Sequence, residues 1–320
     1  DNNTAVGVEA LKDNTTGTVN TAMGRQALQN NTTADGNTAY GHNSLNTVTT
    51  GGCNTAVGGS ALFNNTGTGN VAVGHSVLQA NTSASDNVGI GRNALYTNTE
   101  GHSNVGIGRN ALYDNTTGDK NIAIGCSALA NNTTADSNVA IGHTALITNT
   151  TGTENTAVGH EALYSNTTEN SNSAFGFQAL RANTNDANTG IGYRALCSNT
   201  SGCLNTSLGA SAGRDITTGD NNLTLGYYAG RSSSPSGAIT TGNNNVVLGD
   251  DNISNLFCAD TSISSSDLRD KTDIEDFTHG LDFVTKLNPK TYRWDKRSWY
   301  ITNNDQSILD VTPDGSKKKN

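Results

Sequence analysis

The sequence predicts an all-β protein: a parallel β-solenoid, or β-roll, of seventeen-residue coils, standing as a trimeric rod and followed by a small α+β segment. Three observations lead there. A glycine closing a short apolar stretch recurs at positions 7, 24, 41, 58, 74, 91, 108, 125, 142, 159, 176, 192, 209, 226 and 249. The step is seventeen, twice sixteen, until an insertion lengthens the last one. Around the glycine, residue types repeat in fixed columns. Finally, hydrophobic residues are only 33% of the 320, too few for one collapsed core. Such a composition also suits disorder, but a strict period points to a core gathered by stacking.

Each coil reads in order from its glycine. Asn stands at position −4 in all fifteen rows, from Asn3 to Asn245, and an apolar residue at −1, from Val6 to Leu248. Side chains alternate along a strand, so −3 and −1 share one face. They are β-branched or apolar, as at Val139 and Ile141, which predicts that this face is buried. Position −2 is nearly always Ala, Gly or Ser, which predicts close approach of another backbone on the opposite face. The glycine ends the strand at a turn open to positive φ. Leu at +4, from Leu11 to Leu196, is a second inward anchor, and the Asn-Thr-Thr-Gly stretch around the +8 threonines is a second turn. The Asn column predicts a ladder of amides bonded from rung to rung.

Fifteen rungs spaced about 4.8 Å give a rod of about 70 Å. A single coil of this size has a thin core, so the small-residue column predicts a parallel homotrimer packed along a shared axis. Near the end, Ala-Leu becomes Ala212–Gly213 and Ala229–Gly230, and "SSSPSGAITTG" interrupts the period. The last row, "NNVVLGD", is the most hydrophobic and suits a capping rung. The solenoid is thus expected over 1–250, a connector over 251–265, and a separate unit over 266–320. In that unit Ile274, Phe277, Leu281, Val284 and Leu287 recur at helical spacing. Thr272 or Asp273 caps the start and Pro289 lies past the end. Tyr292, Trp294, Trp299 and Tyr300 suggest short strands.

Charge narrows the function. Residues 1–265 carry 18 acidic and 9 basic side chains, and residues 266–320 carry 10 of each. An acidic, sparsely charged repeat speaks against nucleic-acid binding, and no apolar run is long enough to insert into a membrane. The first residues carry no secretory signal. Cys53, Cys126, Cys197, Cys203 and Cys258 match neither a disulfide framework nor a zinc spacing. They read as free thiols, with Cys197 and Cys203 near enough in sequence to pair across a turn. No cofactor is indicated. A metal site would need adjacent histidines, which only His143 and His160 provide in the column after the glycine; solvated histidines are the plainer reading. The turns lack a repeated Asp of the kind a calcium solenoid uses, and no turnover enzyme is predicted.

Two family resemblances follow from quoted motifs. "NVAIG", "NTAVG" and "NIAIG" resemble the stacked "S-V-A-I-G" coils in the heads of trimeric autotransporter adhesins, which implies a trimer of left-handed parallel β-rolls. The stretch from Ser264, "SSSDLRDKTDIEDFTHGLDFVTKLNPKTYRWD", resembles the start of the endosialidase-type intramolecular chaperone domain at the C-terminus of phage tailspikes and tail fibres. The matching residues are Ser266, Asp267, Arg269 and Lys271, then Leu287, Asn288, Pro289, Tyr292 and Trp294. The resemblance implies a domain that assembles three chains and then cuts itself off near Ser266. Chemically, the Ser266 hydroxyl attacks a neighbouring peptide carbonyl once a base takes its proton. Lys271 serves as that base where desolvation lowers its pKa, with Asp267 and Arg269 in support. At most this is a single-turnover autoprotease.

The variable letters are where a target would be read. One past the glycine stand Arg25, His42, His75, Arg92, Arg109, His143, His160, Phe177 and Tyr193; five past it, Phe63, Tyr96, Tyr113 and Tyr164. Arg92, Tyr96, Arg109, Tyr113 and Tyr164 are the candidate contact set, since aromatic faces and Arg forks suit sugars and carboxylates. The plainer reading is exposed filler or trimer contact. The expected protein is a phage tail fibre on the extracellular virion, meeting a host-surface glycan or receptor and other tail-fibre proteins. Its rivals are a bacterial trimeric cell-surface adhesin and an ice-binding solenoid with an outward Thr plane.

Overall fold

The structure, a computed structural model, describes residues 2–255, which lie within one unit, Asp1–Leu256. Fifteen three-residue strands, from β1 (Thr4–Val6) to β15 (Val246–Leu248), form one sheet in sequence order. Every pairing is parallel and in register, so that Thr4, Ala5 and Val6 lie against Thr21, Ala22 and Met23. Order, register and sense together make a parallel β-solenoid. Among the described residues there is no helix. The α+β reading of 266–320, and with it Ser266, Asp267, Arg269 and Lys271, lies outside the described residues, as does most of the expected connector.

Rung-to-rung bonding runs through the turns as well as the strands. The N–H of Thr4 donates to Asn20 at 2.8 Å, that of Gln26 to Val8 at 2.9 Å, and that of Leu11 to Ala27 at 3.1 Å. Three positions per coil, −5, +2 and +4, take positive φ with ordinary side chains, as at Lys120 (57°), Ser127 (55°) and Leu129 (51°). Left-handed backbone at non-glycine residues is uncommon. Here it repeats because it bends so short a chain back onto its own axis each turn.

The expectation that −3 and −1 are buried is overturned. Along β9 (Val139–Ile141) the Ala is buried, Val139 is half-buried and Ile141 is 37% exposed. The same order holds along the stack, with Met23, Tyr40, Ile90, Phe175 and Leu208 all exposed. The small column therefore faces its own chain's interior, where its neighbours are a Leu side chain and a turn carbonyl of the same chain, that of Ala111 for Gly106 and of Ala195 for Gly190. A methyl built on Gly106 would stand 3.1 Å from Leu95 Cγ, and one on Gly190 3.1 Å from Leu180 Cγ. With Leu filling the lumen from the turn after the glycine, the strand has room for a methyl and little more.

Where Leu gives way to glycine, the strand residue enlarges. Gly213 and Gly230 face Ser207 and Thr224, and a methyl on Gly230 would lie 2.9 Å from Thr224 Cγ2. Volume is exchanged across the core rather than lost. Val247, in the last row, is buried.

Two Asn ladders line this interior. The −4 amides behave as expected and more: Asn138 Oδ1 accepts the N–H of Asn155 at 2.9 Å, while Asn138 Nδ2 donates across the coil to the Gly152 carbonyl at 2.8 Å. The +7 column supplies a second ladder, in which Asn115 Nδ2 donates to Asn98 Oδ1 at 2.7 Å and Asn132 Nδ2 to Asn115 Oδ1 at 2.8 Å. These asparagines are fully buried, so the amides replace the hydrophobic mass that the composition lacks.

Candidate functional site

Two turns join each strand to the next, and they differ in chemistry. In the turn after the glycine, positions +1 to +5, lie 8 of the 9 Lys and Arg and 8 of the 10 Phe and Tyr among residues 2–255. The far turn, from +9 round to −5, holds Lys120 as its one cation and nine of the acidic side chains.

The acidic side has a structural role. Asp35 Oδ1 accepts the Thr18 N–H at 2.6 Å, Asp119 Oδ1 that of His102 at 2.6 Å, and Asp136 Oδ1 that of Asp119 at 2.7 Å. Each acceptor caps the rung before it. The Thr18 backbone N–H, and then its hydroxyl, hold the Asp35 carboxyl below the ordinary Asp range. His102 joins the same column, with Nδ1 accepting the Ser85 N–H at 3.0 Å.

The cationic and aromatic side is laid out as stacks. Tyr96 and Tyr113 stack with centroids 5.2 Å apart and planes 4° apart. Arg92 and Arg109, on the same two rungs, are exposed. Four of the five candidate contact residues thus stand together, while Tyr164 lies three rungs beyond Tyr113 beneath the Arg181 guanidinium, 5.0 Å from its ring centroid. Arg181 Nε also donates to Glu161 at 2.7 Å, and this bond, with one from Gln178, holds the Glu161 carboxyl below its usual range. The Arg109 guanidinium lies 3.5 Å from Cys126 Sγ and pulls that thiol's pKa down.

A longer stack escaped the sequence reading. His143, His160, Phe177 and Tyr193 form a continuous ladder, with successive centroids 5.1, 5.2 and 5.4 Å apart. The Arg194 guanidinium lies 5.4 Å from the Tyr193 centroid and 5.9 Å from that of Phe177, and Arg194 Nε donates to Gln178 Oε1 at 2.8 Å. The signal was present: four aromatic-type rings in one column on consecutive rows. Adjacent parallel imidazoles point their nitrogens side by side rather than at one centre. Among the described residues no three His, Cys, Asp or Glu side chains gather as a metal would require.

Cys53, Cys126, Cys197 and Cys203 are free, which removes the Cys197–Cys203 pairing; Cys258 lies outside the described residues. A groove of about 300 Å³ between Leu204 and Val246 is lined mainly by Asn and Thr and holds none of the aromatic or cationic residues. Among the described residues no helix is long and apolar enough to cross a membrane.

The family model for the chaperone of endosialidase matches residues 266–308. No curated protein and no solved structure gives a match. The family match and the parallel β-solenoid together support a tailspike-like protein with a C-terminal chaperone domain.

Proposed function

From a chaperone match next to a β-solenoid, we propose that this chain is the shaft and contact portion of a phage tail fibre, a parallel trimer that carries a host-surface contact at the virion's exterior. The solenoid of 1–250 is the rod, 251–265 the connector and 266–320 the assembly unit. The observation that carries the trimer is the apolar column on the strand face. Val6, Ile90, Ile141 and Leu248 are among its exposed members, spread over the whole stack. A stripe this long and regular exceeds ordinary exposed patches and marks an interaction surface. Its partner must repeat at the same rung spacing over the same length, and a second copy in parallel does so by construction. Three such chains close a ring without open ends. The strand face is therefore the side turned to the shared axis.

The same reading takes Ser266 as the nucleophile of a single self-cleavage, with Lys271 as base. The Ser266 hydroxyl adds to an adjacent peptide carbonyl, the base takes its proton and passes it to the departing amide nitrogen, and water then hydrolyses the Ser266 ester to a free carboxylate, restoring the hydroxyl.

Native mass spectrometry of the full chain tests both parts. We expect a three-chain species, and a single-chain species from a variant with Ile107→Asp and Ile141→Asp. A monodisperse, fully folded single chain from the unaltered protein would overturn the trimer. A shorter product that disappears in Ser266→Ala supports cleavage, and one that persists unchanged in Ser266→Ala removes Ser266 from it.

A further inference from the structure

We propose that the turn after the glycine binds an acidic polysaccharide lying lengthwise along the rod, a proposal that rests on the surface-contact reading above and names its ligand class. The first ground is segregation: nearly all of the solenoid's cations and aromatic rings occupy one of its two turns, in a chain of net charge −9. The second is that most of these cations have no acidic partner inside the protein. The three ion pairs among the described residues use Lys12, Arg181 and Arg231, leaving Arg25, Arg92, Arg109, Arg194 and Arg214 without a carboxylate. Six of the nine acidic residues of the far turn, by contrast, hold backbone N–H groups. Five guanidinium groups with no carboxylate of their own chain beside them are suited to carboxylates from outside.

The third ground is geometry. The +1 column runs Arg92, Arg109, Cys126, His143, His160, Phe177, Tyr193 on consecutive rungs, with ring spacings of 5.1–5.4 Å where the rings stack. Stacking covers the ring faces between neighbours and leaves the edges outward. The surface thus offers Tyr hydroxyls, imidazole nitrogens and Arg forks in a line, with open aromatic faces only at the ends of a stack. A linear polymer of pyranoses advances along its axis by a distance close to one rung, so successive sugars meet equivalent groups. A neutral polymer would use the edges alone; an acidic one also uses the unpaired guanidinium groups.

Calorimetry on the full-length chain with uronic-acid oligosaccharides of increasing length is the test, alongside the same oligosaccharides with their carboxyls reduced to alcohols. The expected result is affinity that rises with length and falls with salt, and that drops at least about tenfold on carboxyl reduction. Arg92→Gln with Arg109→Gln, and separately Arg194→Gln, should each weaken binding about tenfold while the native mass stays unchanged. Equal binding of the reduced sugars, or no dependence on length, would overturn the proposal. So would a change in native mass in the Arg variants, which would make this turn a contact between chains. If the unaltered chain binds host cells but no uronic-acid oligosaccharide, the acidic class is rejected and the adhesion reading stands. If it binds neither, the parent reading is rejected as well.

Discussion

At the scale of single residues, the core is specified by what a side chain bonds to as much as by what it repels. The +7 ladder is interrupted twice, at Val48 and at Ile216, both buried. The two amide oxygens that would accept from those positions, Asn31 Oδ1 and Asn199 Oδ1, are buried and unpaired. A buried unpaired acceptor costs about 1–3 kcal/mol. Val48→Asn supplies a donor to Asn31 and an acceptor for Asn65, whose amide otherwise donates to the Gly67 carbonyl at 3.0 Å. The expected outcome is a gain of about 1 kcal/mol in denaturant unfolding, with most of it absent in the background Asn31→Ala.

At the scale of the element, the strand-ending turn depends on its glycine for two separate reasons. Gly142 has φ of 138°, and a methyl there would stand 2.5 Å from the Gly159 carbonyl oxygen and 2.6 Å from its carbon. The first is backbone strain and the second is a collision with the next rung, which cannot move without breaking the bond from the Gly159 N–H to Ile141 at 2.7 Å. Gly142→Ala should destabilise by about 3 kcal/mol or more. Because rungs contact only their neighbours, hydrogen exchange should quicken around residues 124–159 and stay unchanged near Gly41. Uniform loss of protection along the stack would contradict this nearest-neighbour picture.

At the scale of the whole molecule, stability should fall in acid. The Thr18 N–H and hydroxyl hold Asp35 low, Gln26 and then Lys12 do the same for Glu9, and Arg181 for Glu161. A group with a lowered folded pKa binds fewer protons folded than unfolded, so its stabilisation is full above the ordinary carboxylate range and is lost as pH falls through it. Against burial, the N–H groups of Thr167 and Thr168 hold Glu169 low as well, while burial raises Asp114, which opposes the trend at one site against four. The melting temperature, flat near neutrality, should drop as pH goes below about 4. No drop between neutrality and strong acid would mean that these contacts do not form in solution.

The sequence by itself determined the period, the parallel solenoid, the turn at each glycine, the Leu anchor and the first Asn ladder. Each is a demand that any rung makes on the next, so it is written once per rung. It also placed Arg92, Tyr96, Arg109 and Tyr113 side by side, since adjacent rows in one column are neighbours in any solenoid. The tertiary structure alone decided which face of the strand is inside. Alternation says that the faces of Val139 and Ala140 differ, but not which one turns inward. That is settled by lumen width: Leu146 and its kind fill the space, only a methyl fits opposite, and the branched residues are left outside the coil's lumen.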